Sequence, residues 1–523
     1  MQTSINSSTS FLSPPSPTTS TQTNYGSLNG NHGAVNSAII EQELASSTEE
    51  IFATCPKFRI LVLGKSGAGK SSLINATFNV DLAHVSHEQS GVSNIDEEIT
   101  SEQNSRFILH DSQGFAAGET QNFETVERFI KDRAQRPELK DRLHAIWFCM
   151  EIPTENGALF ETADQNFLKL DLENVPVIVV FTKYDLLISK LEKEAMDDVD
   201  DEELENLVRQ RADRIFEEAC IQPLRAITCI HSYVKVSSKR NDHYRDTLVN
   251  LVTETRNRLD ERMWVLWAMV QRASVDDKIN ACVAVGRRKY WRGLASSLHF
   301  PGKSLKQCLD RIHDDIIKVW NFNDPHELLQ SPDFRILLGH MVEDLDERPS
   351  PHARQVITTV TSAIGVVTSI IPGAVVIAIP AAAGVAIAQW LLFAYQETPD
   401  ILQLMMGYIC DLTTVLQCLF WIMRVHGDAL EVEPHLIELA IDAHKETGAQ
   451  QFIHRKIRSF IAATPTFKLH KKDLALDELV QIIQSVRFKP EKPSGSGRPR
   501  ALSMISDYSI SSTLSTAGST IGV

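Results

Sequence analysis

Paired cysteines are the first thing missing. The eight cysteines, Cys55, Cys149, Cys220, Cys229, Cys282, Cys308, Cys410 and Cys418, form no C-x-x-C pair. Their spacing excludes the common zinc and dithiol motifs, and mostly apolar neighbours suit small buried hydrophobes in a reducing compartment. A basic balance is missing too. With 52 Lys and Arg against 67 Asp and Glu, the formal charge is −15, which argues against general nucleic-acid binding. The N-terminus has neither a basic stretch leading into an apolar run nor a Met-Gly start, so no secretory signal or myristoylation site is expected. The expected location is intracellular and cytoplasmic, with the cytoplasmic face of a membrane as an alternative. Charge itself is absent from Gln355 to Gln396, and no internal repeat is evident.

What is present begins at Phe58. The run FRILVLGKSGAGKSSLIN reads as a hydrophobic strand, a glycine-rich loop and the opening of a helix. Gly64, Gly69, Lys70 and Ser71 stand at the spacing G-x-x-x-x-G-K-[ST], a phosphate-binding P-loop. The whole cradle is Gly64, Lys65, Ser66, Gly67, Ala68, Gly69, Lys70, Ser71 and Ser72. Glycines let the backbone wrap a phosphate with its amides pointing inward. The helix start adds its positive dipole end. Lys70 offers a point charge to phosphate, and Ser71 offers a hydroxyl to Mg²⁺.

Alternating blocks surround this loop. Strand candidates are Arg59–Leu63, Phe107–His110, Ala145–Met150, Val175–Phe181 and Ile227–Val236; helix candidates are Lys70–Thr77, Thr125–Arg133, Glu161–Leu172, Glu202–Cys220 and Tyr244–Leu259. Nearly all-apolar strands between helices predict a doubly wound α/β sheet. The expected organisation is a Ser/Thr/Asn-rich disordered tail over 1–55, a nucleotide-binding domain over 56–258 and an all-helical C-terminal region. That region divides into helices over 259–350, an apolar part over 351–426, amphipathic helices over 427–488 and a disordered tail over 489–523. Trp264, Trp267, Trp291 and Trp320 are expected in the core. The acidic run Glu192–Glu205 reads as a solvated loop entering a helix.

The uncharged stretch 355–396, broken at Pro372-Gly373, predicts an apolar helical hairpin. A membrane insertion of hairpin or re-entrant form is one reading, and a buried soluble hairpin packed with Ile401–Met423 is the other.

Further along the chain, the site acquires more parts. Strand Phe107–His110 ends in Asp111-Ser-Gln-Gly114, where the carboxylate can serve Mg²⁺ and the Gly114 amide can meet a γ-phosphate. Strand Val177–Phe181 runs into Thr182-Lys183-Tyr184-Asp185. A carboxylate at Asp185 can accept two hydrogen bonds from guanine, and adenine offers no such donor pair. Ser237-Ser238-Lys239 follows the last strand, where an amide could reach guanine O6.

GKSGAGKS, DSQG, TKYD and SSK resemble, in order, the G1, G3, G4 and G5 motifs of translation-factor-related GTPases. The P-loop block is most similar to the Era-like, septin-like and immunity-associated or chloroplast-import groups. The resemblance covers about 56–258 and implies GTP and GDP binding with Mg²⁺, a two-state switch and slow hydrolysis. By position it implies that Gly64–Ser72 bind phosphates, that Ser71 and Asp111 serve the metal, and that Gly114 senses the γ-phosphate. Thr182, Lys183, Asp185 and Ser238 would read the base, with Lys183 also bracing the P-loop. Ser93 is the best counterpart of the switch threonine that closes on metal and phosphate, with Thr100 second. Phe115 stands where many relatives carry a water-orienting glutamine, so hydrolysis is expected to be slow and raised by self-association or an activating protein. A GTP-binding scaffold without turnover is the alternative.

Overall fold

The computed structural model describes residues 46–81, 94–112, 120–153, 159–170, 172, 175–194, 201–227, 232–239, 242–261, 263–288, 305–345, 399–425, 431–464 and 474–488. Apolar, β-branched runs build a six-stranded sheet in the order β2-β3-β1-β4-β5-β6. The strands are β1 (Phe58–Leu63), β2 (Ile99–Ser101), β3 (Asn104–Asp111), β4 (Ala145–Glu151), β5 (Val177–Thr182) and β6 (Ser232–Lys235). Strand β1, FRILVL, is buried at every position, as a central strand covered on both faces must be. It pairs in parallel with β3 and β4, and β5 pairs in parallel with β4 and β6. Only the short edge strand β2 runs antiparallel.

Helices α2 (Lys70–Phe78), α3 (Thr120–Ala134), α4 (Thr162–Leu168), α5 (Tyr184–Glu194), α6 (Asp201–Phe216), α7 (Gln222–Ile227) and α8 (Asp242–Asn257) complete the α/β part. Two expected boundaries are corrected. The strand forecast to start at Ile227 starts at Ser232, because a π-turn at Glu217–Ile221 carries the chain into α7. The helix forecast over Glu161–Leu172 stops at Leu168. Helix α5 was not foreseen.

The helical region contains α9 (Met263–Val270), α10 (Val275–Arg288), α11 (Leu305–Trp320), α12 (Pro332–Met341), α13 (Pro399–Val425), α14 (Pro434–Glu446), α15 (Ala449–Ala463) and α16 (Leu474–Ser485). Helix α13 runs through the middle of this core. Its stretch Leu402–Arg424 is long and apolar enough to cross a membrane, and 94% of that window is buried inside the protein. Its one acid, Asp411, is fully buried between His444 Nε2 at 3.0 Å and His454 Nε2 at 2.8 Å. Pairing and hydrogen bonding make such a burial tolerable. The proposed hairpin over 355–396 and the tail over 489–523 lie outside the described residues.

The expected seam at residue 258 is not one. Helix α9 is buried at every position but Trp264. Met263, Leu266, Trp267 and Val270 join the core under the sheet, while Val265, Ala268 and Met269 join the helical core. The Trp267 ring lies 4.9 Å from Phe58, 5.9 Å from Phe78 and 6.0 Å from Trp147, and its Nε1 donates to Val252 O. Trp320 is buried as expected, Trp264 is half-buried, and Trp291 lies outside the described residues.

The end of the forecast N-terminal tail is also corrected. Helix α1 (Ser47–Thr54) is ordered because Asp315 of α11 caps it, accepting from the Ser46 and Thr48 hydroxyls and the Ser47 and Thr48 amides. At its other end Phe52 lies under the Arg106 guanidinium, 3.7 Å from the ring centre. A second tie is Arg272, between α9 and α10. Its amide donates to Thr77 O, and its guanidinium donates to Asn79 O, Gln103 O and Asn321 O. The C-terminal end of the P-loop helix is thereby bonded to the chain just after α11.

Candidate functional site

The loop between β1 and α2 has the backbone its glycines predict. Gly64, Gly67 and Gly69 have φ of +146°, +78° and +81°. At Gly64 no side chain is possible, since a Cβ would meet the Cys149 carbonyl oxygen at 2.3 Å. Lys70 Nζ curls back onto its own loop, donating to Gly64 O at 2.7 Å and Lys65 O at 3.3 Å. An incoming phosphate can take over from these carbonyls. Ser71 and Ser72 are exposed at the start of α2, as are Lys65, Ser66 and Gly67 on the loop. Lys65 pairs with Glu161 at 2.6 Å.

The parallel register of β1 and β3 sets Asp111 beside Val62, next to this loop. Asp111 Oδ1 is shielded from water, has no hydrogen-bond partner among the described residues, and lies 4.0 Å from Lys70 Nζ. Burial raises the Asp111 pKa, with Lys70 and the Ser112 amide opposing it. A buried carboxylate oxygen that lacks a donor, beside the lysine that precedes the exposed Ser71, fits a divalent cation. Gly114, Phe115 and Ser93 lie outside the described residues. Thr100 is exposed in β2, while Ile95 and Glu98, just before that strand, are tied down. Ile95 O bonds His110 Nδ1 at 2.7 Å, and Glu98 pairs with buried Arg59 at 2.6 Å.

At the end of β5, Thr182 Oγ1 donates to Ala68 O at 2.7 Å and to Met150 O at 3.2 Å. The expected brace to the P-loop therefore comes from Thr182. Lys183, held at φ +60°, pairs instead with Glu151 at 2.6 Å. Asp185 is buried at the first turn of α5. Its Oδ1 accepts from Ser237 Oγ at 2.8 Å, and its Oδ2 meets Lys239 Nζ at 3.1 Å. Ser237 is fully buried and its own amide donates to Thr247 Oγ1, so the loop after β6 is fixed against α8. Ser238 is half-buried beside it.

The strand ends thus bring Lys70, Ser71, Asp111, Thr182, Asp185 and Ser237 to one edge of the sheet, where ligands of open α/β sheets bind. Three partners escaped sequence reasoning: Glu161 on Lys65, Glu151 on Lys183, and Lys239 on Asp185. Each pairing spans a long stretch of chain and leaves no local signal. Lys239 alone stood inside a quoted motif.

A family model described as 50S ribosome-binding GTPase matches residues 59–183. A domain of unknown function, DUF8505, matches residues 328–495. No curated protein matches the chain. Among solved structures the chain is similar to a probable GTP-binding protein, engB, at 18% identity, covering 38% of this chain and 99% of that one with a TM-score of 0.23. Residues 59–183 match a P-loop GTPase domain within the α/β part, and the helical region follows that part from Met263 onward.

Proposed function

We propose that this chain is a guanine-nucleotide switch that binds GTP and GDP with Mg²⁺, hydrolyses GTP slowly, and passes its nucleotide state to the helical region. The observation that carries the reading is the Asp185 carboxylate, held by Ser237 and set at the end of the strand whose Thr182 grips the P-loop. The Thr182 bond to Ala68 O ties the strand before Asp185 to the phosphate cradle. Guanine's two donors satisfy Asp185, whereas adenine leaves a desolvated carboxylate short of partners. Lys70 turns from Gly64 O and Lys65 O to the phosphates, and the loop amides follow. Ser71 and Asp111 would hold Mg²⁺, with Ser93 the candidate switch residue, and the cation would supply charge neutralisation of the phosphates.

Phe115 cannot orient a water molecule, which supports a slow intrinsic rate raised by self-association or an activating protein. The same residue admits a non-hydrolysing scaffold. A path to the helices runs through α2, whose N-terminus is the P-loop and whose C-terminal carbonyls bond Arg272. The uncharged stretch 355–396 supports contact with a membrane at its cytoplasmic face. Flotation of the full chain with vesicles tests this, and equal flotation after removing 355–396 overturns it.

Labelled GTP and ATP binding tests the nucleotide reading, with Lys70→Ala expected to lose about a hundredfold in affinity, the scale of a lost buried charge-assisted contact. Phosphate release at rising protein concentration separates the switch from the scaffold. Turnover by dilute monomer above ~1 s⁻¹ overturns slow hydrolysis.

A further inference from the structure

Beside the base site, a cavity of about 60 Å³ opens between the GTPase domain and the helical region. One wall is the end of α2 and the start of α8. The other is aromatic: Trp320 and Phe322 stack with centroids 5.7 Å apart and planes 2° from parallel, and Phe420 meets Trp320 at 6.1 Å. Four cations line it, Lys239, Arg245, Arg272 and Arg424, and among the described residues no acid does, in a chain of net charge −15. The Arg272 guanidinium is held by the carbonyls of Asn79, Gln103 and Asn321, which orient it without cancelling its charge. Arg245 is set over the Trp421 ring at 4.7 Å. Arg424 donates to the carbonyls of Arg272 and Ala273.

Cationic groups converging on low-dielectric aromatic walls focus a positive potential there, which attracts an anion. Guanidinium forks suit carboxylate and phosphate oxygens, and the stacked rings suit an apolar body. The volume is several times the ~15 Å³ that one water needs, enough for a four-oxygen head group.

We propose that this cavity is a second ligand site, for a small molecule carrying a phosphate or carboxylate on an aromatic or apolar body, and that guanine nucleotide strengthens its grip. The coupling rests on the reading of Asp185 as the base reader. Lys239 now pairs with Asp185 Oδ2. A guanine base that takes this oxygen releases the ammonium at the cavity rim, which adds uncompensated positive charge there. By linkage, the anion then favours the nucleotide-bound state equally.

The test is calorimetric titration of the full chain, nucleotide-free and GDP-loaded, with phenyl phosphate, benzoate and uncharged benzyl alcohol. Phenyl phosphate is expected to bind saturably, benzoate more weakly and benzyl alcohol not at all, with GDP tightening the anions several-fold. Arg245→Gln weakens phenyl phosphate at least tenfold at an unchanged melting temperature, and Arg245→Lys recovers part of the loss. Lys70→Ala retains phenyl phosphate binding, which separates the cavity from the P-loop. Absence of saturable binding, or binding kept in Arg245→Gln and lost in Lys70→Ala, overturns the site. Equal affinity in both nucleotide states overturns the coupling. A chain that takes phenyl phosphate but no GDP leaves the site standing and removes the guanine reading instead.

Discussion

Asp185 in the GTPase domain and Asp411 in the helical region are both buried carboxylates, and their partners differ in one respect. Asp411 is closed by two histidines that are themselves fully buried, His444 and His454, so neither partner can leave without opening the core. Asp185 is closed on one side by buried Ser237 and on the other by Lys239, whose side chain is 51% exposed. A ligand can replace Lys239 at no cost to packing. Under the proposed reading, the carboxylate used for recognition keeps one exchangeable donor, whereas the carboxylate used for structure keeps none.

The sharpest way to break this comparison is Asp185→Ala. Preference for GTP over ATP is expected to fall by about 10⁴-fold in competition binding, the scale on which a hydrogen-bonding site rejects an analogue. Its urea midpoint should barely move. Retained preference would place base reading elsewhere.

Asp411→Ala does the reverse. It strands a histidine charge in the core and is expected to cost about 3–5 kcal/mol in urea unfolding, with GTP affinity unchanged in the folded protein. A loss under ~1 kcal/mol would show that water reaches this site.

A third measurement uses pH. Burial pushes the His454 pKa down, but the carboxylates of Asp344 and Asp411 on its two nitrogens overcome this and raise it to about 9. A histidine raised from 6.5 contributes stability that is complete below that value and lost as pH climbs through about 9. Asp411, which burial pushes up and the two histidines pull below its usual value, loses its contribution only in acid. Arg458, His444 and Cys410 are further charged or titratable neighbours among the described residues, with Glu478 near Cys410. Stability to urea should therefore decline from pH 6.5 towards 9, and the decline should vanish in His454→Gln. A flat profile would leave His454 neutral. The smallest effect is expected from Thr182→Val, which removes the hydroxyl from Ala68 O and Met150 O. It should cost about 1–2 kcal/mol of stability, with about tenfold weaker nucleotide binding.

Legibility in the sequence follows the same division. The P-loop and TKYD motif were readable because their chemistry is local: φ-positive glycines, a helix start and a strand end within a few residues. Strands β1, β3, β4 and β5 announced themselves by apolar runs longer than any turn. Strand β6 was misplaced because Ile227 continues the helical run that follows the π-turn. The Asp411 cluster was not legible, since His444 and His454 approach from two later helices that no spacing rule links to α13. The ordering of Ser46–Thr48 hid for the same reason, its cap coming from distant Asp315. The seam at 258 was mistaken because MWVLWAMV reads as an ordinary apolar helix, and nothing local says that it serves two cores.

That shared helix has a consequence for biosynthesis. When a ribosome has released residues up to 258, all six strands are available, yet the aromatic face of Phe58, Phe78 and Trp147 still awaits Trp267. Helix α1 waits longer, for Asp315. During that interval the nascent GTPase domain presents an apolar surface to whatever is near, the condition under which chaperones engage and truncated fragments aggregate. Expression that stops at 258 should give insoluble protein, and extending the fragment through Val270 should restore much of its solubility.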